Sequence, residues 1–168
     1  MTRWLGVDPG GSHVGIVLRD RSDLVDHMLV ERVKGDDSMV PRELIDTVLA
    51  ALRSMRSQHG DFLVAVEDIS EPRTHIRGER SMLKPRHYIG VASVLGAVLA
   101  ERQDAVLVPP GGNGSAPLAV YPPALRPTRG KGSGTDRLRH CRSAWDVSVA
   151  GPTSAALTRL SPPTASRG

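Results

Sequence analysis

The stretch WLGVDPGGSHVGIVL, residues 4–18, decides the fold. An apolar run, Trp4–Val7, ends on a single carboxylate, Asp8. The chain breaks at Pro9-Gly10-Gly11 and returns at once as a second apolar run, Val14–Leu18. A hairpin turn has no need of an acid there, and a phosphate-binding loop would carry more glycine and a lysine. The pattern points to a strand whose end holds a negative charge still.

Outward from this hairpin, Leu24–Val33 alternates apolar and polar residues and reads as a third strand. Acids and Ser38 ahead of Pro41 mark a helix start. Leu44, Ile45, Val48, Leu49, Leu52 and Met55 fall on one face of that helix, and Gly60 supplies the stop. Phe62–Val66 has the unbroken apolar character of a buried strand and stops on Glu67-Asp68. Residues 68–86 are polar and basic and read as a loop. Ile89, Val91, Val94, Leu95, Val98 and Leu99 mark a second helix ending near Gln103. Ala105–Val108 is a short strand, residues 109–134 are a Pro- and Gly-rich loop, and a third helix runs from about Asp136 to Ala150. The order predicts one α/β domain over residues 1–151, a mixed five-stranded sheet flanked by helices, then a disordered tail over 152–168. Two long loops in so compact a chain suggest functional segments.

Composition narrows the function classes. The apolar fraction is 39% but aromatics are only 3%, so the core must be built from Val, Leu, Ile and Ala. Cys141 is the one cysteine, which excludes an intramolecular disulfide and a thiolate metal cluster and fits a reducing compartment. No apolar run approaches the ~18 residues of a membrane span. The N-terminus enters a strand almost at once, so no signal peptide is expected. The expectation is a soluble cytoplasmic protein. Lys+Arg outnumber Asp+Glu by 22 to 18, and only Lys34, Lys84 and Lys131 are lysines. The arginine bias has two readings, planar phosphate contacts or a GC-rich genome.

Asp8 and Glu67 each end an apolar strand. As parallel neighbours, these strands would bring two carboxylates to one sheet edge, which is costly unless a cation or shared proton compensates. A third acid, Asp146, sits in the last helix within SAWDVSVAG, among Ala144, Val147, Val149 and Ala150. Taken singly, each acid also reads as a strand-end or helix-surface charge. Together they suggest oxygen ligation of Mg²⁺ or Mn²⁺. Two such ions about 4 Å apart can activate water and stabilise a leaving oxygen in phosphodiester cleavage.

Two basic segments flank these acids. One holds Arg73, Arg77, Arg80, Lys84 and Arg86 against Glu79; the other holds Arg126, Arg129, Lys131, Arg137, Arg139 and Arg142 against Asp136. Charge clustered in this way reads as a track for nucleic-acid phosphates, or as solvated loop charge.

LGVDPGGSHVGIVL, LVAVED, GVASVLGAVLAE and SAWDVSVAG together resemble the RNase H-like nuclease fold. Within it they resemble the RuvC-type Holliday junction resolvases, especially short actinobacteriophage members, over roughly residues 3–151. The resemblance implies a homodimeric, structure-selective endonuclease acting on branched DNA with two Mg²⁺ or Mn²⁺ ions, dimerising through the helix around Val91–Leu99. It implies metal-binding and catalytic roles for Asp8, Glu67 and Asp146. The family usually carries a further acid or histidine one helical turn before the last Asp; here that residue is Ser143. His140, about one more turn back, is the nearest substitute as a general base or water-orienting group, or else a surface histidine. A YqgF-like RNase and a non-catalytic junction-binding protein remain as alternatives.

Overall fold

The computed structural model describes residues 2–69, 85–127 and 136–160. Three strands form an antiparallel meander: β1 (Arg3–Pro9), β2 (His13–Asp20) and β3 (Asp23–Glu31). Helix α1 (Arg42–His59) follows, then β4 (Leu63–Glu67), which lies parallel to β1. Helix α2 (Pro85–Glu101) leads to β5 (Val106–Val108), parallel to β4, and α3 (Leu138–Leu160) closes the fold. The sheet order is β3-β2-β1-β4-β5. The expected mixed five-stranded sheet with flanking helices is therefore present.

Strand periodicity assigns the two faces. Leu5 and Val7 join Val14, Ile16, Leu18, Val64 and Val66 in a core covered by Leu44, Val48, Leu52 and Met55 of α1 and Val94, Leu95 and Val98 of α2. The opposite face belongs to α3. Val17 packs with Cys141, Ala144 and Trp145 there, and Trp4 and Ala65 pack with Val147. Asp8 and Glu67 share the parity of Gly6 and Ala65, so both belong to the α3 face. The last paired rung of the parallel ladder is Val7 with Val66, and the two acids stand one residue beyond it.

Helix α3 approaches the sheet at backbone distance. A Cβ on Gly6 would lie 1.9 Å from the Ala144 carbonyl oxygen, and one on Gly15 2.1 Å from that of His140. Only hydrogen at these positions lets the helix settle onto β1 and β2.

Two expectations change. Helix α3 does not stop at Ala150 but continues through Pro152 to Leu160. Proline removes a helical hydrogen bond, yet Ala150 and Ala155 pack against the Trp4–Val147 cluster and Gly151 abuts the Trp4 ring, and this burial carries the helix onward. Residues 161–168 of the expected tail lie outside the described residues. The 109–127 loop is also more ordered than its composition implies. It makes two short 3₁₀ turns, Leu118–Val120 and Pro123–Leu125, and buries Tyr121 and Leu125 against α3. No described helix is long and apolar enough to cross a membrane.

Candidate active site

The parallel pairing of β1 with β4 places Asp8 and Glu67 side by side at the C-terminal ends of their strands. Burial pushes the Glu67 carboxyl above its ordinary value and the adjacent Asp8 charge adds to the rise, while bonds from Asn113 and Ser143 oppose it. Asn113 Nδ2 donates to Glu67 Oε1 at 2.9 Å, and Ser143 Oγ donates to Glu67 Oε2 at 3.0 Å. Both oxygens of this carboxylate are thereby oriented.

Asp8 is paired with α3. His140 Nδ1 lies 2.9 Å from Asp8 Oδ2. The His140 ring stacks on His13, with centroids 5.5 Å apart and planes 8° from parallel. His13 lies 3.7 Å from Glu31. Its pKa is lowered first by burial and then by the neighbouring His140. Asp8, Glu67, Asp68, His13, His87 and His140 border a cavity of about 260 Å³, together with the Pro9–Ser12 turn. Gly10 and Gly11 are required by close approach, since a Cβ on Gly10 would meet the His13 carbonyl oxygen at 2.0 Å.

Asp146 does not line this cavity. Its Oδ2 accepts hydrogen bonds from the Gly114 amide and the Tyr121 hydroxyl, each at 2.8 Å. The structure thus brings Asp8, Glu67 and His140 together, with Ser143 on Glu67, and turns the third expected carboxylate toward the 110–125 segment. Sequence reasoning missed Asn113, Tyr121 and His13. Asn113 sits in GGNGS, whose only signal is turn composition, and its contact with Glu67 is made across the fold.

Of the expected phosphate contacts, Arg73, Arg77, Arg80, Lys84, Arg129 and Lys131 lie outside the described residues. Arg86 is on the surface, bonded to Asp37 at 2.6 Å and to the Asp36 carbonyl. Arg142 departs from the expectation. It is buried, its Nη2 lies 2.5 Å from Asp136 Oδ2, and its Nη1 donates to the Leu125 carbonyl at 3.1 Å. A guanidinium so enclosed braces the fold and offers nothing to a phosphate.

Among the described residues, no three His, Cys, Asp or Glu side chains form a ready-made metal cluster. The donors present still suit a hard cation. Two carboxylates abut, one with a raised pKa, and a divalent ion between them would relieve that repulsion.

No protein-family model matches the sequence, and no curated protein sequence matches it. Solved structures do. The chain superimposes on Thermus thermophilus RuvC in complex with Holliday junction substrate, with a TM-score of 0.62 and 16% identity over 94% of this chain and 96% of that one. The fold is that of RuvC. A second Thermus thermophilus RuvC structure gives a TM-score of 0.54 and 16% identity, covering 93% of this chain and 96% of that one. At this identity the likeness to RuvC is one of fold, and the chemistry must be argued from the side chains.

Proposed function

We propose that this chain is a divalent-metal-dependent endonuclease that hydrolyses phosphodiester bonds in branched DNA such as four-way junctions. The observation that carries the reading is the meeting of Asp8, Glu67 and His140 around one cavity, at the C-terminal ends of parallel strands in a RuvC-type fold. Support for the branched substrate comes from the neighbour in complex with Holliday junction substrate.

Asp8 and Glu67 would hold Mg²⁺ or Mn²⁺, which when bound activates water and stabilises the leaving oxygen. Two ions would call on a third carboxylate; Asp146 is engaged elsewhere and Asp68, though it borders the cavity, forms no three-donor group with Asp8 and Glu67, so we assign one ion to Asp8 and Glu67. In the neutral tautomer whose Nδ1–H donates to Asp8, His140 Nε2 would be the atom that takes a proton from water as a general base. Stacking on His13 restricts rotation of the His140 ring. Asn113 and Ser143 fix the Glu67 carboxylate. Gly10 and Gly11 leave the cavity mouth free of side chains where a phosphate must enter. The basic residues Arg73, Arg77, Arg80, Lys84, Arg129 and Lys131 would position the DNA backbone. Cutting two strands calls for a homodimer, with α2 as the expected contact. A monomer in sedimentation equilibrium, with and without junction, would count against that assembly.

One observation favours a second reading, junction binding without cleavage: a serine rather than an acid faces Glu67 from α3. The deciding experiment compares a labelled four-way junction with matched duplex and single strand, in Mg²⁺, Mn²⁺ or EDTA, for wild type and Asp8→Asn. Metal-dependent nicking of the junction, lost in Asp8→Asn while binding survives, is expected. Tight junction binding with no cleavage in either metal would refute the nuclease reading, and a preference for RNA would redirect it toward a YqgF-like activity.

A further inference from the structure

We propose that Asp146 is a positioning residue rather than a metal ligand: it pins the 110–125 segment to α3 so that Asn113 holds the Glu67 carboxylate in place. The catalytic consequence rests on the nuclease reading above; the anchoring does not.

One carboxylate oxygen, Asp146 Oδ2, accepts from two donors of this segment, the Gly114 amide and the Tyr121 hydroxyl, each at 2.8 Å. Tyr121 is only 1% exposed, and its hydroxyl oxygen also accepts from the Ala116 amide at 3.2 Å. The Arg142 guanidinium lies over the Tyr121 ring, 5.7 Å from its centroid, and the same side chain donates to the Leu125 carbonyl. The segment is thus tied to α3 at Gly114, at Tyr121 and at Leu125.

Gly114 shows how close the attachment is. Its φ is +75°, a left-handed value that disfavours any side chain. A Cβ there would also stand 3.0 Å from both the Arg139 carbonyl oxygen and the Ser143 amide nitrogen. The segment therefore rests on the turn of α3 that carries His140 and Ser143. The preceding residue is Asn113, whose amide donates to Glu67 Oε1 at 2.9 Å. One peptide unit separates the anchor on Asp146 from the clamp on Glu67. Loss of the anchor leaves the Asn113 backbone free to move and Glu67 with one of its two orienting bonds unreliable. Partners that orient a metal-binding carboxylate typically contribute about 10- to 100-fold to affinity or activity.

The test uses the full chain as wild type, Asp8→Asn, Asp146→Asn, Asp146→Ala and Tyr121→Phe. Two readouts are taken: amide hydrogen exchange at Gly114 and Ala116, and kcat and KM for a four-way junction in Mn²⁺. An asparagine at 146 keeps an oxygen that accepts from both donors. Exchange in Asp146→Asn should stay near wild type, and kcat should fall by no more than about threefold. Asp146→Ala should speed exchange at Gly114 at least about tenfold and lower kcat about 10- to 100-fold with little change in KM. Tyr121→Phe removes one of the two bonds to Asp146 and, with it, the acceptor of the Ala116 amide. It should speed exchange at Gly114 and lower kcat by less than Asp146→Ala, and those two values carry the test if Asp146→Ala fails to fold. Asp146→Asn as inactive as Asp8→Asn, with wild-type exchange, would show that the charge itself is needed and would overturn the proposal. Unchanged exchange in folded Asp146→Ala would overturn it too. If the wild type cuts no DNA, the nuclease reading falls and the exchange data alone decide the anchor.

Discussion

Alanine at Gly15 tests whether contact between β2 and α3 sets the site. Its Cβ would lie 2.1 Å from the His140 carbonyl oxygen, 2.3 Å from the carbonyl carbon and 2.8 Å from the Cys141 amide nitrogen. Carbon packs against such atoms at about 3.5 Å, so α3 must retreat by roughly 1 Å or more. All three obstructing atoms are backbone, and no rotamer change relieves the clash. The same turn carries the His140–Asp8 and Ser143–Glu67 contacts at 2.9 and 3.0 Å. A retreat of about 1 Å takes both beyond hydrogen-bond range. Overpacking of this kind costs about 1–3 kcal/mol, which in a chain of this size lowers Tm by roughly 3–10 °C. Misplacing catalytic groups by about 1 Å costs on the order of 100-fold in rate. Thermal melting by circular dichroism and junction cleavage read the two effects separately. Gly96→Ala is the control for stability, read by Tm alone because α2 is the expected dimer contact. Gly96 is an exposed residue of α2 with nothing within 4 Å of an added Cβ, so that variant should gain about 0.5–1 kcal/mol. A Gly15→Ala protein with wild-type Tm and wild-type cleavage would refute the reasoning.

Arg142→Met leaves Asp136 without its cation and should cost about 2 kcal/mol or more in stability, while the salt dependence of junction affinity stays unchanged. A salt slope reduced by about one unit with no loss of Tm would restore Arg142 as a phosphate contact. In metal-free buffer with EDTA, Glu67→Gln should raise the urea midpoint at pH 8. The folded state raises the Glu67 pKa, so its ionised form penalises folding at high pH, and the gain should shrink as pH falls through that raised value into the ordinary carboxylate range. A gain that is equal at pH 4 and pH 8, or a loss at pH 8, would contradict this. Burial pushes the Cys141 thiol up to about 11, so a thiol reagent at pH 8 should label it only after unfolding. Rapid labelling of the native protein would place the sulfur elsewhere.

Much of the fold is legible because each strand and helix carries its own periodicity. The hairpin of residues 4–18, the apolar face of α1 and the Gly60 stop all appear where local pattern places them. The stop on Gly60 has a direct cause, a backbone at φ +77° whose amide bonds the Arg56 carbonyl. Where pattern failed, tertiary packing had overridden it. Pro152 and its small neighbours read as the start of a loose tail, yet burial against Trp4 keeps that stretch helical. The 109–127 segment reads as open loop, yet Tyr121 and Leu125 are as buried as any core residue.

The candidate site divides in the same way. Asp8 and Glu67 were legible because an acid at the end of an apolar strand is a local anomaly, and strand parity assigns both to one face. Asp146 was equally legible as an acid on the last helix, but its partners were not. Helical periodicity sets which residues share a face of α3; only docking on Gly6 and Gly15 sets which turn of that face meets the sheet edge. That docking brings His140 to Asp8 and Ser143 to Glu67 and turns Asp146 to Tyr121. The sequence by itself determined the strand-end carboxylates and the RuvC-type order of elements. Their partners were decided by tertiary structure, because a hydrogen bond between residues 46 or 132 positions apart has no local pattern to announce it.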